Sequence, residues 1–184
     1  VYKNDNPQDF ETAVHSIYEQ QSLRPSEIIL VIDGPVPAIM HDTISALNEQ
    51  IDILRVIQLK ENMGHAIARQ TGLDAARNEL CAIMDADDIS VPNRFEKQLK
   101  AFEEHPEVSV VGGLIREFIH QPDNVVGTRI VPEHDAEIKA YLKRRCPMNL
   151  VTVMLKKSDV MKVGGYLDWY CEEDYYLWIR LALR

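Results

Sequence analysis

The chain reads as an α/β domain with a Rossmann-like, mostly parallel central sheet and helices on both faces, and three observations predict it. Short apolar runs alternate with longer amphipathic segments, the rhythm of βα units. Two of the runs end in aspartate, at Asp33 and Asp85, at the strand ends where open α/β sheets keep their crevice. At 184 residues and 46% apolar side chains, the chain holds the core of one domain.

Each element follows from local chemistry. Asn6 and Pro7 make an N-cap and first-turn pair for a helix whose Phe10, Val14, Ile17 and Tyr18 share one face. Ile28 to Ile32 is a buried strand that breaks at Asp33-Gly34-Pro35, a turn. A helix near Ala38 to Gln50 and a strand near Leu54 to Leu59 come next. Gly64 to Arg77 is helical, Leu80 to Met84 is a strand, Pro92 opens a charged helix through Glu104, and Val108 to Val111 is a further strand. Beyond it the clearest periodic stretch is the apolar helix of Tyr175, Leu177, Trp178 and Leu181.

Composition narrows the function classes. A net charge of -9 argues against a nucleic-acid binder, which needs clustered Lys and Arg against phosphates. Cys81, Cys146 and Cys171 are widely spaced and odd in number, which points to reduced thiols in a cytosolic setting. No apolar stretch approaches membrane-spanning length and no signal peptide is visible. The chain begins at Val1 and stops at Arg184 inside a periodic run, so it reads as a fragment.

The run Leu80-Cys81-Ala82-Ile83-Met84-Asp85-Ala86-Asp87-Asp88 carries the chemistry, because it drives an apolar strand into three carboxylates. Crowded like charges raise one another's pKa, whereas a hard divalent ion turns the crowding into coordination. The pattern therefore reads as a metal site for a phosphorylated ligand, against the simpler alternative of a solvated turn. An EF-hand fails, since Ile89 and Ser90 stand where an oxygen ligand and the turn glycine belong. An aspartyl-phosphate phosphatase is a weak rival. Asp33 can accept a hydrogen bond from a base N–H or a ribose hydroxyl in the same crevice.

Together with Val1-Tyr2, Ile17-Tyr18-Glu19-Gln20-Gln21-Ser22, Val31-Ile32-Asp33-Gly34, Asn62-Met63-Gly64 through Ala68-Arg69, Met84-Asp85-Ala86-Asp87-Asp88 with Pro92-x-Arg94, and Gly164-Gly165-Tyr166 before Glu173-Asp174-x-x-Leu177-Trp178-x-Arg180, these residues carry a resemblance. The chain resembles the family 2 glycosyltransferases of GT-A fold nearly end to end. The resemblance implies an inverting, metal-dependent transfer of a sugar from a nucleotide-diphosphate donor, a UDP-sugar first among them, to a glycan or lipid-linked hydroxyl. It implies Mn²⁺ or Mg²⁺ at Asp85 and Asp87, and a donor-binding set of Tyr2, Asp33, Asn62, Arg69, Asp85 and Ala86. Asp174 would be the base, with Glu173 beside it, although acids also suit a helix N-terminus through its dipole. The setting it implies is bacterial surface polysaccharide or lipopolysaccharide assembly, in the cytoplasm at the inner face of the membrane. Any peripheral membrane association would come through regions outside this sequence.

Residues 1–184 would form one catalytic domain, a nucleotide-binding half over 1–115 and an acceptor-binding half over 116–184. Trp169 and Tyr170 are candidates to stack on the acceptor sugar, while Trp178 suits the core. Two departures from the family stand out: the strand that normally precedes Val-Tyr is absent, which would leave sheet edges unpaired, and Leu150 stands where relatives often carry His. The rival enzyme is a sugar-nucleotide pyrophosphorylase, for which no Gly-rich basic phosphate loop is found near the start. A non-catalytic nucleotide-sugar binding domain is the alternative from another class.

Overall fold

The computed structural model describes residues 1–169 and 172–184. In chain order the elements are α1 (Pro7–Ile17), β1 (Ile28–Ile32), α2 (Ala38–Gln50), β2 (Leu54–Gln58), α3 (His65–Ala75), β3 (Leu80–Ala82), α4 (Arg94–Glu104), β4 (Val110–Val111), β5 (Ile115–Phe118), β6 (Val125–Arg129), α5 (Asp135–Tyr141), a 3-10 turn at Leu150–Thr152, β7 (Met154–Lys156), α6 (Lys157–Lys162) and α7 (Glu173–Ala182). The architecture is α/β, as the alternating pattern predicts.

Helix α1 starts where its cap demands, with the Asn6 side chain accepting from the Gln8 N–H at 2.8 Å and Pro7 in the first turn. Its buried Phe10 and Val14 pack with Ile28, Leu30 and Ile32 of β1 and with Met40, Ile44 and Leu47 of α2. Strands β1 and β2 are parallel, Ile28 opposite Leu54 through Ile32 opposite Gln58, with α2 as the crossover. The other edge of β1 meets Val1, whose N–H group donates to the Val31 carbonyl at 2.9 Å and whose carbonyl accepts from Asp33 at 2.8 Å.

A second sheet has the order β3-β7-β4, with β7 antiparallel to both neighbours. β3 and β4 therefore run the same way, and β7 enters against them. The third pair, β5 and β6, is an antiparallel hairpin in which no residue is buried. Leu155 and Val153, both fully buried, join Leu73, Val160, Tyr166, Leu177 and Trp178 in the core under α7. Trp178 is thus a core residue, as expected, and Leu150 packs against the same core.

Several boundaries fall short of the sequence expectation. β3 ends at Ala82 rather than Met84, although the Ile83 N–H still donates to the Val153 carbonyl at 2.9 Å. The carboxylates therefore sit on a turn that begins three residues past the ladder, not on the strand end itself. α4 begins at Arg94 because Pro92 and Asn93 form a turn ahead of it. Cys81 and Cys146 are free thiols, and Tyr170 and Cys171 lie outside the described residues. No described helix is long and apolar enough to cross a membrane.

Candidate active site

The carboxyl end of β1 organises one wall. Asp33 is buried, and its two oxygens accept from the backbone N–H groups of Met63, at 2.6 Å, and Gly64, at 3.0 Å. The Asn62 amide donates to the Asp33 carbonyl at 3.3 Å. The approach is close enough that a Cβ on Gly34 would lie 2.5 Å from the Asn62 nitrogen, and Gly34 sits at φ +86°. Asp33 and Asn62 thus lock the loop that launches α3. Both residues are expected from the sequence to bind the donor; here they hold the backbone of the loop, a task that no local pattern in the sequence signals.

Helix α3 carries Arg69 one turn in. The guanidinium bridges two elements, pairing through Nη1 with Glu173 at the start of α7 and through Nη2 with Asp85 Oδ1 at 3.3 Å. Glu173 is nearly fully buried, and the His65 ring lies 3.9 Å from it. A buried carboxylate stays charged only with such a partner.

Asp85, Ala86, Asp87 and Asp88 form the turn after β3, with Asp87 exposed and the others half-buried. Burial, and then the charges of Asp87 and Asp85, push Asp88 up to about 6. Behind the turn lies buried Arg94, which donates through Nη2 to the carbonyls of Ile83, at 2.8 Å, and Val153, at 3.0 Å. Its Nε donates to Gln98 Oε1 at 3.1 Å, and Gln98 donates in turn to the carbonyls of Val111 and Thr152, at 3.0 and 2.7 Å. The pair ties the ends of β3 and β4 to the entry of β7. Arg94→Leu leaves the Ile83 carbonyl without its donor, while the Val153 carbonyl keeps the Ile83 N–H. An unpaired group costs about 1–3 kcal/mol, so chemical denaturation should show a loss of about that size. A loss below about 0.5 kcal/mol would contradict the clamp.

Among the described residues no three His, Cys, Asp or Glu side chains converge as a metal cage. The residues still fit a shared site, because Mg²⁺-type sites use one or two carboxylates and complete their shell with substrate phosphates and water. Asp85 and Asp87 supply that donor type on one turn.

Asp174 stands in the first turn of α7. Its Oδ1 accepts from the Tyr175 N–H at 2.7 Å and its Oδ2 lies 3.8 Å from Cys146 Sγ. Burial raises its pKa above 3.8, with Glu173 adding to the rise and the Tyr175 N–H opposing it. Burial likewise pushes the Cys146 thiol up to about 11, so Asp174 has a neutral neighbour there. Cys146 was not foreseen in the site; no local spacing links residues 28 apart. Trp169 is 58% exposed and stacks on Tyr176 at 4.7 Å between ring centroids.

A space of about 1040 Å³ separates β1 from β3; apolar side chains such as Phe10, Val14, Leu30, Leu73 and Phe95 make up much of its wall, and Tyr2, Asp33, His65, Arg69, Asp85, Ala86 and Asp87 also line it. Asn62, Glu173 and Asp174 are not on those walls. Glu173 connects to it through Arg69, and Asp174 is the next residue of α7.

The profile of Glycosyl transferase family 2 matches residues 1–163. The chain belongs to glycosyl transferase family 2. An uncharacterized glycosyltransferase of Haemophilus influenzae is 38% identical over 184 residues, all of this chain and 67% of its own length. The amylovoran biosynthesis glycosyltransferase AmsE of Erwinia amylovora is 31% identical, matching 98% of this chain and 66% of its own. The UDP-Gal:alpha-D-GlcNAc-diphosphoundecaprenol beta-1,3-galactosyltransferase of Escherichia coli is 32% identical, matching 98% and 64%. This family 2 chain therefore spans about two thirds of the length of the curated relatives it matches. Among solved structures, the mannosyltransferase PcManGT of Pyrobaculum calidifontis, in complex with GDP-Man and Mn²⁺, superposes with a TM-score of 0.71 at 16% identity over 98% of this chain and 50% of that one. The fold of this family 2 chain is thus GT-A.

Proposed function

We propose that the protein transfers a sugar, with inversion, from a nucleotide-diphosphate donor to a hydroxyl acceptor. The observation that carries this reading is the Asp85–Arg69–Glu173 chain, which links the acidic turn after β3 to the helix bearing Asp174. Asp85 and Asp87 would hold Mn²⁺ or Mg²⁺. When bound, the ion supplies Lewis-acid stabilisation of the departing diphosphate, worth several kcal/mol.

Arg69 adds a fixed positive charge on the same wall, and Tyr2, Asp33, Asn62 and Ala86 would shape the pocket for the nucleoside and diphosphate. Asp174, ionised, takes the proton of the acceptor hydroxyl. The oxygen forms its bond to the anomeric carbon as the bond from that carbon to the phosphate oxygen breaks. The electron pair leaves with the nucleotide diphosphate, and attack from the opposite side inverts the centre. Glu173 serves as the counter-charge that holds Arg69, while Trp169 offers an exposed ring to the acceptor.

The relatives named for amylovoran synthesis and for transfer to a diphosphoundecaprenol acceptor support a place in bacterial surface polysaccharide or lipopolysaccharide assembly. The reaction would run in the cytoplasm, at the inner face of the membrane, with a UDP-sugar as the first donor to test. Calorimetric titration of UDP, GDP and dTDP, with and without Mn²⁺, is the test. One nucleotide should bind, and bind more tightly with metal. Absence of any nucleotide binding by the full-length protein would refute the reading.

A further inference from the structure

In a chain of net charge -9, Lys143-Arg144-Arg145 is the one run of three basic residues. All three side chains are exposed, and none pairs with a carboxylate among the described residues, whereas nearby Lys139 takes Asp135 at 2.9 Å. The Arg145 guanidinium lies over the Tyr141 ring, 5.9 Å from its centroid, a cation–π contact that uses none of its N–H groups.

The placement of the run matters more than its charge. Leu142, just before it, accepts a hydrogen bond at 2.6 Å from the hydroxyl of Tyr175. Cys146, just after it, lies 3.8 Å from Asp174 Oδ2. The three cations thus sit on a loop pinned at both ends to the first turn of α7, one end to the candidate base itself. An acceptor whose hydroxyl meets Asp174 would bring its opposite end within reach of these long side chains. Two guanidiniums and an ammonium match phosphate oxygens, the guanidiniums in bidentate fashion.

We propose that Lys143, Arg144 and Arg145 bind a phosphate or diphosphate ester carried by the acceptor, an assignment that rests on the glycosyltransferase reading above. The acceptor would then be an anionic sugar ester rather than a neutral glycan end.

The test uses the full-length protein and its K143Q/R144Q/R145Q variant, titrated calorimetrically in EDTA with inorganic pyrophosphate and with decyl diphosphate below its micelle concentration. Vesicles of phosphatidylcholine with and without phosphatidylglycerol form a third arm. Both diphosphates should bind the wild type and bind the variant about tenfold or more weakly, a difference that calorimetry resolves. Nucleotide binding with Mn²⁺ should be equal in the two proteins, which also shows that the variant folds. Equal diphosphate affinity in wild type and variant overturns the proposal. So does binding of the run to anionic vesicles with no affinity for either diphosphate, which would make it a contact for a charged lipid surface. Failure of both proteins to bind any nucleotide refutes the donor reading separately, and removes the acceptor assignment with it.

Discussion

Asp174→Asn should slow turnover by about 10²–10⁴-fold, the usual worth of a positioned general base, and leave nucleotide affinity unchanged. The substitution is nearly isosteric, and an Asn carbonyl oxygen can still accept from the Tyr175 N–H that holds Oδ1 at 2.7 Å. What disappears is the ionisable oxygen. The pH profile gives an independent readout. Burial raises the Asp174 carboxyl above 3.8, and the base works only when ionised, so wild-type turnover should fall as pH drops through that raised value. The residual rate of the variant should lack this limb. Glu173→Gln is the informative contrast, because Glu173 is buried on Arg69 and its neutralisation leaves the guanidinium with Asp85 as its one charged partner among the described residues. That variant should weaken nucleotide binding, and Asp174→Asn should not. Equal loss of nucleotide affinity in both, or an unchanged acid limb in Asp174→Asn, would remove Asp174 from the role of base.

The two halves of this contrast were unequally legible in the sequence. The acids at 172–174 announce a helix start, and the family pattern singles out Asp174, but nothing local tells which acid is solvated and which is paired. Arg69 and Glu173 are separated by 104 residues, and only the packing of α3 beside α7 makes them partners. Local chemistry served well where it is strong. The Asn6-Pro7 cap, the β1 run and the Asp33-Gly34 break all appear where the residues put them. It failed where the information is tertiary. Strand β7 has three residues and takes its place between β3 and β4 through backbone pairing, which leaves no period in the sequence. The β5–β6 hairpin buries none of its residues, so its apolar side chains follow no inside–outside alternation. Arg94 belonged to a recognised motif, yet its work joins the Ile83 carbonyl, 11 residues away in the chain, to that of Val153, 59 residues away.

Asp85→Asn should abolish the metal-dependent part of nucleotide binding and cut turnover by about 10²–10⁴-fold, since several kcal/mol of transition-state stabilisation depend on that carboxylate. Asp85 is the residue at which two demands meet. Its Oδ1 is 3.3 Å from Arg69, so the carboxylate holds the guanidinium on the cleft wall as well as offering oxygen to a cation. Asp87, exposed on the same turn, has no such partner among the described residues and contributes only its oxygens. The two variants should therefore differ in the absence of metal. With EDTA, Asp87→Asn should bind nucleotide as the wild type does, or somewhat better as repulsion against the diphosphate falls. Asp85→Asn releases Arg69 toward Glu173 alone, so its metal-free affinity should change with the guanidinium's position. Asp88 reports on the same crowding: removing either neighbouring charge should lower its pKa from about 6, a shift that carboxylate-labelled NMR can follow. Identical metal-free binding by both variants would mean that Arg69 is held by Glu173 and needs no help from the acidic turn. Metal-dependent binding that survives in Asp85→Asn and in Asp87→Asn alike would place the cation somewhere other than this turn.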